Sequence, residues 1–334
     1  MKRTLCSSLL VAMTTLLPFG QAGAATLLRL AYAENSQPVK DALKYIGETI
    51  EKRSGGEIKV LYFPDGQLGG ERELVELTQV GAVDITKVSS GLLESFSAVY
   101  GVFSLPYLFP DQASYYKVMD DPAVMQPIYQ STAPQGFTGV AWYDSGARNF
   151  YMSKAPVRSM ADVKGKKIRV MQSDTAIRSM KLLGASPIAM GQAEVYTALQ
   201  QGIIDGAENN EFALTIARHG EVAKFYTLDM HTRIPDIVIV STLTRDKLTP
   251  EQQTLLQEVI NESITVEKQA WATEMAKTRK QAVDQFGVQF IDIDSAPFKQ
   301  AVQPIYETLS PAVAEAYKRI SAHLPVAETA AVSQ

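Results

Sequence analysis

Arginine is the residue type in this chain best suited to gripping a small anion, and two arginines fall where a ligand would be met. Arg169 ends the run Lys166-Lys167-Ile168-Arg169 inside a predicted strand, where a guanidinium offers a carboxylate two parallel donors in one plane. A solvated basic strand start is the other reading of those residues. Arg148, in Gly146-Ala147-Arg148-Asn149, stands at the junction of the two halves of the chain, where a cleft lining and a surface position are both open. Further polar groups follow predicted strands: Glu34 and Asn35, then Asp65, Gln67 and Gly69-Gly70-Glu71-Arg72, then Ser89 and Ser90. The second half supplies Gln172-Ser173, Gln192 and Asn209-Asn210-Glu211. Open α/β sheets bind ligands beyond the carboxyl ends of their strands, which makes these positions the first candidates. His231, in Asp229-Met230-His231-Thr232, either hydrogen-bonds a ligand or sits at a loop surface.

Catalytic chemistry finds little support. His219, His231 and His323 lack metal-ligand spacing, and no Gly-x-Ser-x-Gly elbow occurs. Gly66, Gly69 and Gly70 do not form a dinucleotide fingerprint, and a Walker-type loop is absent. Glu71 and Glu73 read as helix N-terminal residues favoured by the macrodipole. The expectation is a protein that is not an enzyme and uses no cofactor and no metal.

The elements that must position these groups can be read from periodicity, glycines and caps. Residues 27–33, 58–63 and 83–88 read as strands, with helices at 39–52 and 72–80, ended by Ser54-Gly55-Gly56 and Gly81. This β-α-β-α-β order recurs from Lys166, with strands at 168–171, 187–190 and 204–208 and helices begun by Ser173 or Asp174 and by Glu194. Such an order implies a parallel sheet covered by helices on both faces, and two doubly wound α/β domains, with one large sheet as the alternative. Thr249-Pro250-Glu251-Gln252 combines an N-cap, a first-turn proline and a capping-box residue, and no Gly or Pro then intervenes before Gly287. An unbroken helix there would run ~55 Å and span both domains; two helices with a kink are the alternative. The stretch 326–334 reads as frayed.

Composition bounds the partners. Lys2 and Arg3 precede an apolar run that leads to Ala22-Gly23-Ala24, so 1–24 reads as a signal peptide and the mature chain as soluble and exported to the periplasm. The only cysteine, Cys6, lies within that segment, which excludes disulfides and thiolate chemistry from the remainder. Its removal leaves 30 of the 32 basic residues against 36 acidic ones, a net charge near −6 that argues against a nucleic-acid partner. An anionic ligand must then be held by local arginines.

Several ordered motifs resemble the extracytoplasmic solute receptors of tripartite ATP-independent periplasmic (TRAP) transporters over nearly the whole mature chain. They are Phe63-Pro64-Asp65-Gly66-Gln67-Leu68-Gly69, Leu105-Pro106-Tyr107-Leu108-Phe109, Asp162 to Val170 with its Gly165-Lys166-Lys167-Ile168-Arg169 core, Ala193-Glu194-Val195-Tyr196, and Ile204-Asp205-Gly206-Ala207-Glu208-Asn209. The resemblance implies a periplasmic binding protein type II-like fold, with hinge strands and a long helix spanning both domains. It implies domain I at 25–147 plus 235–270 and domain II at 148–234 plus 271–325. It further implies that Arg169 pairs with a ligand carboxylate, with Arg148 as a second anion contact and Asn209 as a donor. Glu34 or Asn35, Glu71, and Ser89 or Ser90 would line the other wall. Gln192 stands where many relatives carry an aromatic residue, and an amide there suits a hydroxyl-bearing ligand. The stretch from Met230 to Asp236 is similar to that of receptors for sugar acids. The expected ligand is a hexuronate or related aldonate, with a C4-dicarboxylate as competitor. The expected partners are TRAP membrane permease subunits, and the receptor is expected to be a monomer.

Overall fold

Apolar residues alternate or run continuously through the short extended segments, and each such segment forms a strand. The computed structural model describes residues 25–34 and 36–325, so the expected signal peptide at 1–24, the candidate Asn35 and the stretch 326–334 lie outside the described residues. The strands are β1 (Thr26–Tyr32), β2 (Ile58–Phe63), β3 (Ile85–Ser89), β4 (Phe137–Tyr143), β5 (Arg148–Met152), β6 (Lys167–Val170), β7 (Ser186–Ala189), β8 (Gly206–Asn209), β9 (Phe225–Thr232), β10 (Asp236–Ser241) and β11 (Gln289–Asp292). They form two sheets, ordered β2-β1-β3-β10-β4 and β11-β9-β5-β8-β6-β7. The single-sheet alternative therefore falls.

The sheets are mixed, which corrects the expectation of parallel ones. Strands β1, β2 and β3 run parallel, but β10 is antiparallel to both β3 and β4. In the second sheet β6 is parallel to β7 and β8, whereas β5 is antiparallel to β8 and β9. The cause is connectivity. Residues 144–147 carry the chain from β4 in the first sheet to β5 in the second, and residues 233–235 carry it back from β9 to β10. A strand that arrives from the other sheet enters against the local direction.

Each sheet buries a core on both faces. On the first, Leu28, Leu30, Val238 and Val240 pack with Val39, Leu43, Ile46 and Ile50 of the helix Gln37–Arg53, while Val88, Phe137, Trp142, Ile237 and Ile239 face the opposite core. On the second, Phe150 and Met152 of β5 point to one side and Tyr151 between them to the other. This is the two-residue period of a strand covered on both faces.

The helix Pro250–Phe286 is continuous over 37 residues, which removes the kinked alternative. Thr249 Oγ1 accepts from Gln252 N–H at 3.2 Å, Gln252 Oε1 accepts from Thr249 N–H at 3.2 Å, and Gly287 ends the helix at φ 64°. It touches both halves. Ser263 Oγ lies 2.8 Å from Tyr143 Oη of β4, and the Trp271 ring packs edge-on against Phe212 at 4.5 Å.

One boundary differs from the expected division, which placed 271–325 entirely with the second domain. Phe298 and Val302 do join the core of the second sheet, but Ile305, Val313, Ala316 and Ile320 share the core of Tyr115, Val118 and Trp142 on the first. Periodicity identifies a buried helical face without saying which core it meets.

Thr249→Ala removes one half of the capping box. It is expected to cost about 1 kcal/mol and to lower the thermal midpoint by roughly 2–4 °C, measured by circular dichroism.

Candidate functional site

Arg169 sits in β6 with 3% of its surface exposed, so the solvated reading of its strand start fails at this residue. Its Nε and Nη2 donate to the Met190 carbonyl at 3.0 and 2.7 Å, and Nη1 donates to Gln192 Oε1 at 3.1 Å. Two of its five N–H groups are left over, one on each terminal nitrogen. Burial and the neighbouring Arg148 charge lower its pKa, against the pull of Tyr151 and Glu208. No carboxylate lies within ion-pair distance of it among the described residues. A buried cation without a counter-charge is costly, and a bidentate anion fits the unused donors.

Arg148 begins β5 and is committed to protein partners. Its Nε pairs with Glu208, Nη2 donates to Glu208 Oε1 at 3.0 Å and to the Glu208 carbonyl at 2.7 Å, and Nη1 donates to Asn209 Oδ1 at 2.8 Å. One N–H remains on Nη1. Burial raises the Glu208 pKa, but Arg148 and His231 outweigh it and hold the carboxyl down at about 2. His231 lies in β9 with 2% of its surface exposed, so the loop-surface reading is wrong and the ring is closed to solvent. Its Nδ1 is 2.7 Å from Asp229 Oδ2, and Nε2 is 3.4 Å from Glu208 Oε2 without hydrogen-bond alignment, so that second contact acts through charge. Burial lowers the His231 pKa, but Asp229 and Glu208 carry it up to about 9. Arg148 and His231 thus flank Glu208, and His231 also holds Asp229.

Asn209 accepts from Arg148 Nη1 and from Asn210 N–H through Oδ1, which leaves its Nδ2 donors without a protein partner among the described residues. Gln192 is placed similarly: its Oε1 is used by Arg169 and its Nε2 is not.

The first sheet contributes a cluster around Lys87, whose side chain is 1% exposed. Lys87 Nζ pairs with Glu34, lies 2.9 Å from Asp236 Oδ2 and 3.8 Å from Glu71 Oε1. Glu71 opens the helix Glu71–Gln79, and its Oε1 also accepts from Ser89 N–H at 3.0 Å. Burial raises the pKa of Asp236 to about 7 and that of Glu71 as well, with Lys87 opposing; at Glu34 Lys87 prevails over burial and lowers it. Ser89 Oγ donates to Met171 Sδ at 3.3 Å, and Ser90 Oγ is buried without a partner among the described residues.

The two halves meet beside these groups. Arg72 Nε donates to Gln172 Oε1 at 3.1 Å, and Glu94 accepts from Ser173 Oγ, from Thr175 N–H at 3.1 Å and from Thr175 Oγ1 at 2.6 Å. Glu94 thereby caps the helix Asp174–Leu182 from the opposite half. The structure brings Arg169, Gln192, Arg148 and Asn209 together on one side and Glu34, Glu71, Ser89 and Ser90 on the other. A surface groove of about 410 Å³ lined by Gln37, Asp41, Thr273 and Lys277 contains none of them. No group of side chains with metal-binding geometry occurs among the described residues.

Lys87, Asp236, Glu208, Asp229 and Glu94 were not legible as site residues. A signal existed for Lys87, since a lone lysine inside Ile85-Thr86-Lys87-Val88-Ser89 cannot be buried unpaired. None existed for Asp236, its partner 149 residues away.

Comparison with known proteins places the chain in a family. The family model for bacterial extracellular solute-binding protein, family 7, matches residues 31–311. The chain belongs to that family. The YiiZ protein of Salmonella typhimurium is 70% identical over 297 residues, 88% of this chain and 91% of that one. A TRAP periplasmic solute-binding protein of Anaerococcus prevotii, solved with bound D-glucuronate, is similar at 40% identity and a TM-score of 0.86, over 89% of this chain and 98% of that one. One from Xanthobacter autotrophicus, with bound β-D-galacturonate, is similar at 37% identity and a TM-score of 0.83, over 88% and 99%. No helix among the described residues is long and apolar enough to cross a membrane.

The raised pKa of His231 sets a testable pH dependence. Its contribution is complete below the unfolded value of about 6.5 and is lost as pH rises from there through about 9. The loss is on the order of 3 kcal/mol. Denaturant titrations between pH 6 and 10 should show this decline in the parent protein and a flatter profile in His231→Gln.

Proposed function

We propose that this protein is the periplasmic receptor of a TRAP transporter and that it binds a hexuronate or related aldonate by its carboxylate. The observation that carries the proposal is Arg169, a buried guanidinium with two unused N–H groups and no carboxylate partner among the described residues. The ligand carboxylate takes those two donors and supplies the missing charge. The spare N–H of Arg148 and the Nδ2 of Asn209 add donors beside it, and Gln192 Nε2 serves a ligand hydroxyl. Glu34 and Glu71, with Ser89 and Ser90, take hydroxyls on the other wall. His231 acts behind them through Glu208, which it helps to hold ionised.

The hexuronates bound by the Anaerococcus and Xanthobacter proteins support a ligand of that size and chemistry. In this reading the chain forms two lobes, 25–147 plus 235–270 and 148–234 plus 271–302, with 303–325 returning to the first. They close about the segments 144–147 and 233–235. Export by the segment 1–24 delivers a receptor that hands its ligand, as a monomer, to permease subunits in the membrane. It releases the ligand unchanged, since the buried carboxylates are engaged by Lys87, Arg148 and His231 and not poised as an acid/base pair.

A thermal-shift screen over uronates, aldonates and C4-dicarboxylates tests the ligand class. Glucuronate or galacturonate at about a hundred times its dissociation constant should stabilise the fold by ~2.7 kcal/mol. A shift with succinate or malate alone would overturn the sugar-acid reading. Arg169→Lys keeps the charge and loses the fork, and should weaken uronate binding by about 100-fold or more in calorimetry. Unchanged affinity would remove Arg169 as the anchor.

A further inference from the structure

The wall contributed by the first sheet is sorted by depth. Lys87 and Asp236 are closed off, with 1% and 6% of their side-chain surface exposed, whereas Glu34 and Glu71 keep 30% and 28%. The only cation of the cluster is therefore at the back, held by three carboxylates, and the open edge presents carboxylate oxygens. Strand pairing fixes this order. Asp236 lies opposite Ser89 and Val238 opposite Lys87 in the antiparallel β3–β10 pair, so Asp236 and Lys87 meet on one face of the sheet just below its end. Glu34 follows β1, and Glu71 reaches the same point from its helix, tied there by the Ser89 N–H at 3.0 Å. Across from this edge, Ser89 Oγ contacts Met171 and Arg72 contacts Gln172, both just past the strand that carries Arg169. The unused donors of Arg169 call for a ligand independently of the acidic cluster.

A carboxylate offers acceptors only, and such an edge complements hydroxyl groups, which donate. A second anionic group at the far end of a ligand would meet Glu34 and Glu71 first, because Lys87 is closed off behind them, paired with Glu34 and Asp236. We propose that Lys87 and Asp236 are specificity-determining positioning residues. They hold Glu34 and Glu71 as a carboxylate edge that admits polyhydroxy monocarboxylates and excludes ligands with a second carboxylate, hexarates as well as C4-dicarboxylates. This rests on Arg169 as the carboxylate anchor and adds to it the sign of what the opposite wall tolerates.

The test compares galacturonate with galactarate, which has the same hydroxyl configuration and a carboxylate in place of the aldehyde carbon, by calorimetry at one pH and salt concentration. The parent protein should bind galactarate at least about 100-fold more weakly. Glu71→Gln replaces an acceptor with an amide donor and should narrow that ratio at least about tenfold, and Glu34→Gln offers the same readout if the first variant does not fold. Lys87→Met should weaken galacturonate more than Arg169-dependent binding of a short monocarboxylate such as glycolate. Galactarate binding within about threefold of galacturonate, or a ratio unmoved in both glutamine variants, overturns the proposal while leaving the anchor intact. Loss of selectivity for acids over galactose, or no binding of any uronate, overturns the receptor reading and this inference with it.

Discussion

A guanidinium lies inside this protein held by a main-chain carbonyl and a side-chain amide, neither of which carries a charge. Desolvating arginine in that way is unfavourable. The cost ties the site to the fold. Met190 and Gln192, which grip Arg169, stand just past β7, the parallel neighbour of the strand that carries it. Sheet pairing therefore brings Arg169 beside the segment that holds it.

The other buried charges follow the opposite rule, since each cation has its carboxylates close by. Lys87 gathers Glu34, Glu71 and Asp236, Arg148 and His231 flank Glu208, and His231 also pairs with Asp229. Removing one member of such a set strands a charge and costs more than the pair itself contributes. The contrast gives Arg169 its meaning, because it is surrounded by satisfied ion pairs and is not itself in one.

The long helix and the two crossovers adjoin these clusters. Glu267, fully buried on that helix, accepts from the Asp144 N–H at 3.0 Å at the start of one crossover, and burial raises its pKa well above the ordinary carboxyl range. The same crossover ends at Arg148, and the other, 233–235, runs from the strand of His231 to Asp236. Both segments between the sheets are thus bounded by residues of the charge clusters.

Much of this protein is set by local sequence. Caps and glycines place the helices within a residue or two, as Thr249 and Gly287 do for the long one, because capping is a contact between near neighbours. The polar strand ends mark the site's rim, and ordered motifs from Phe63 to Asn209 mark the family. Tertiary structure alone decided the rest. Strand direction in each sheet depends on where the chain crosses between them, and the return of Ile305 and Ile320 to the first core depends on which surface is free to receive them. Asp236 and Glu208, which pair with Lys87, Arg148 and His231, lie on other strands, so these pairings were invisible in the linear order. Whether Arg169 is a solvated surface cation or a buried anchor turns on neighbours more than twenty residues away, because burial and charge are properties of three-dimensional surroundings and not of the residues on either side.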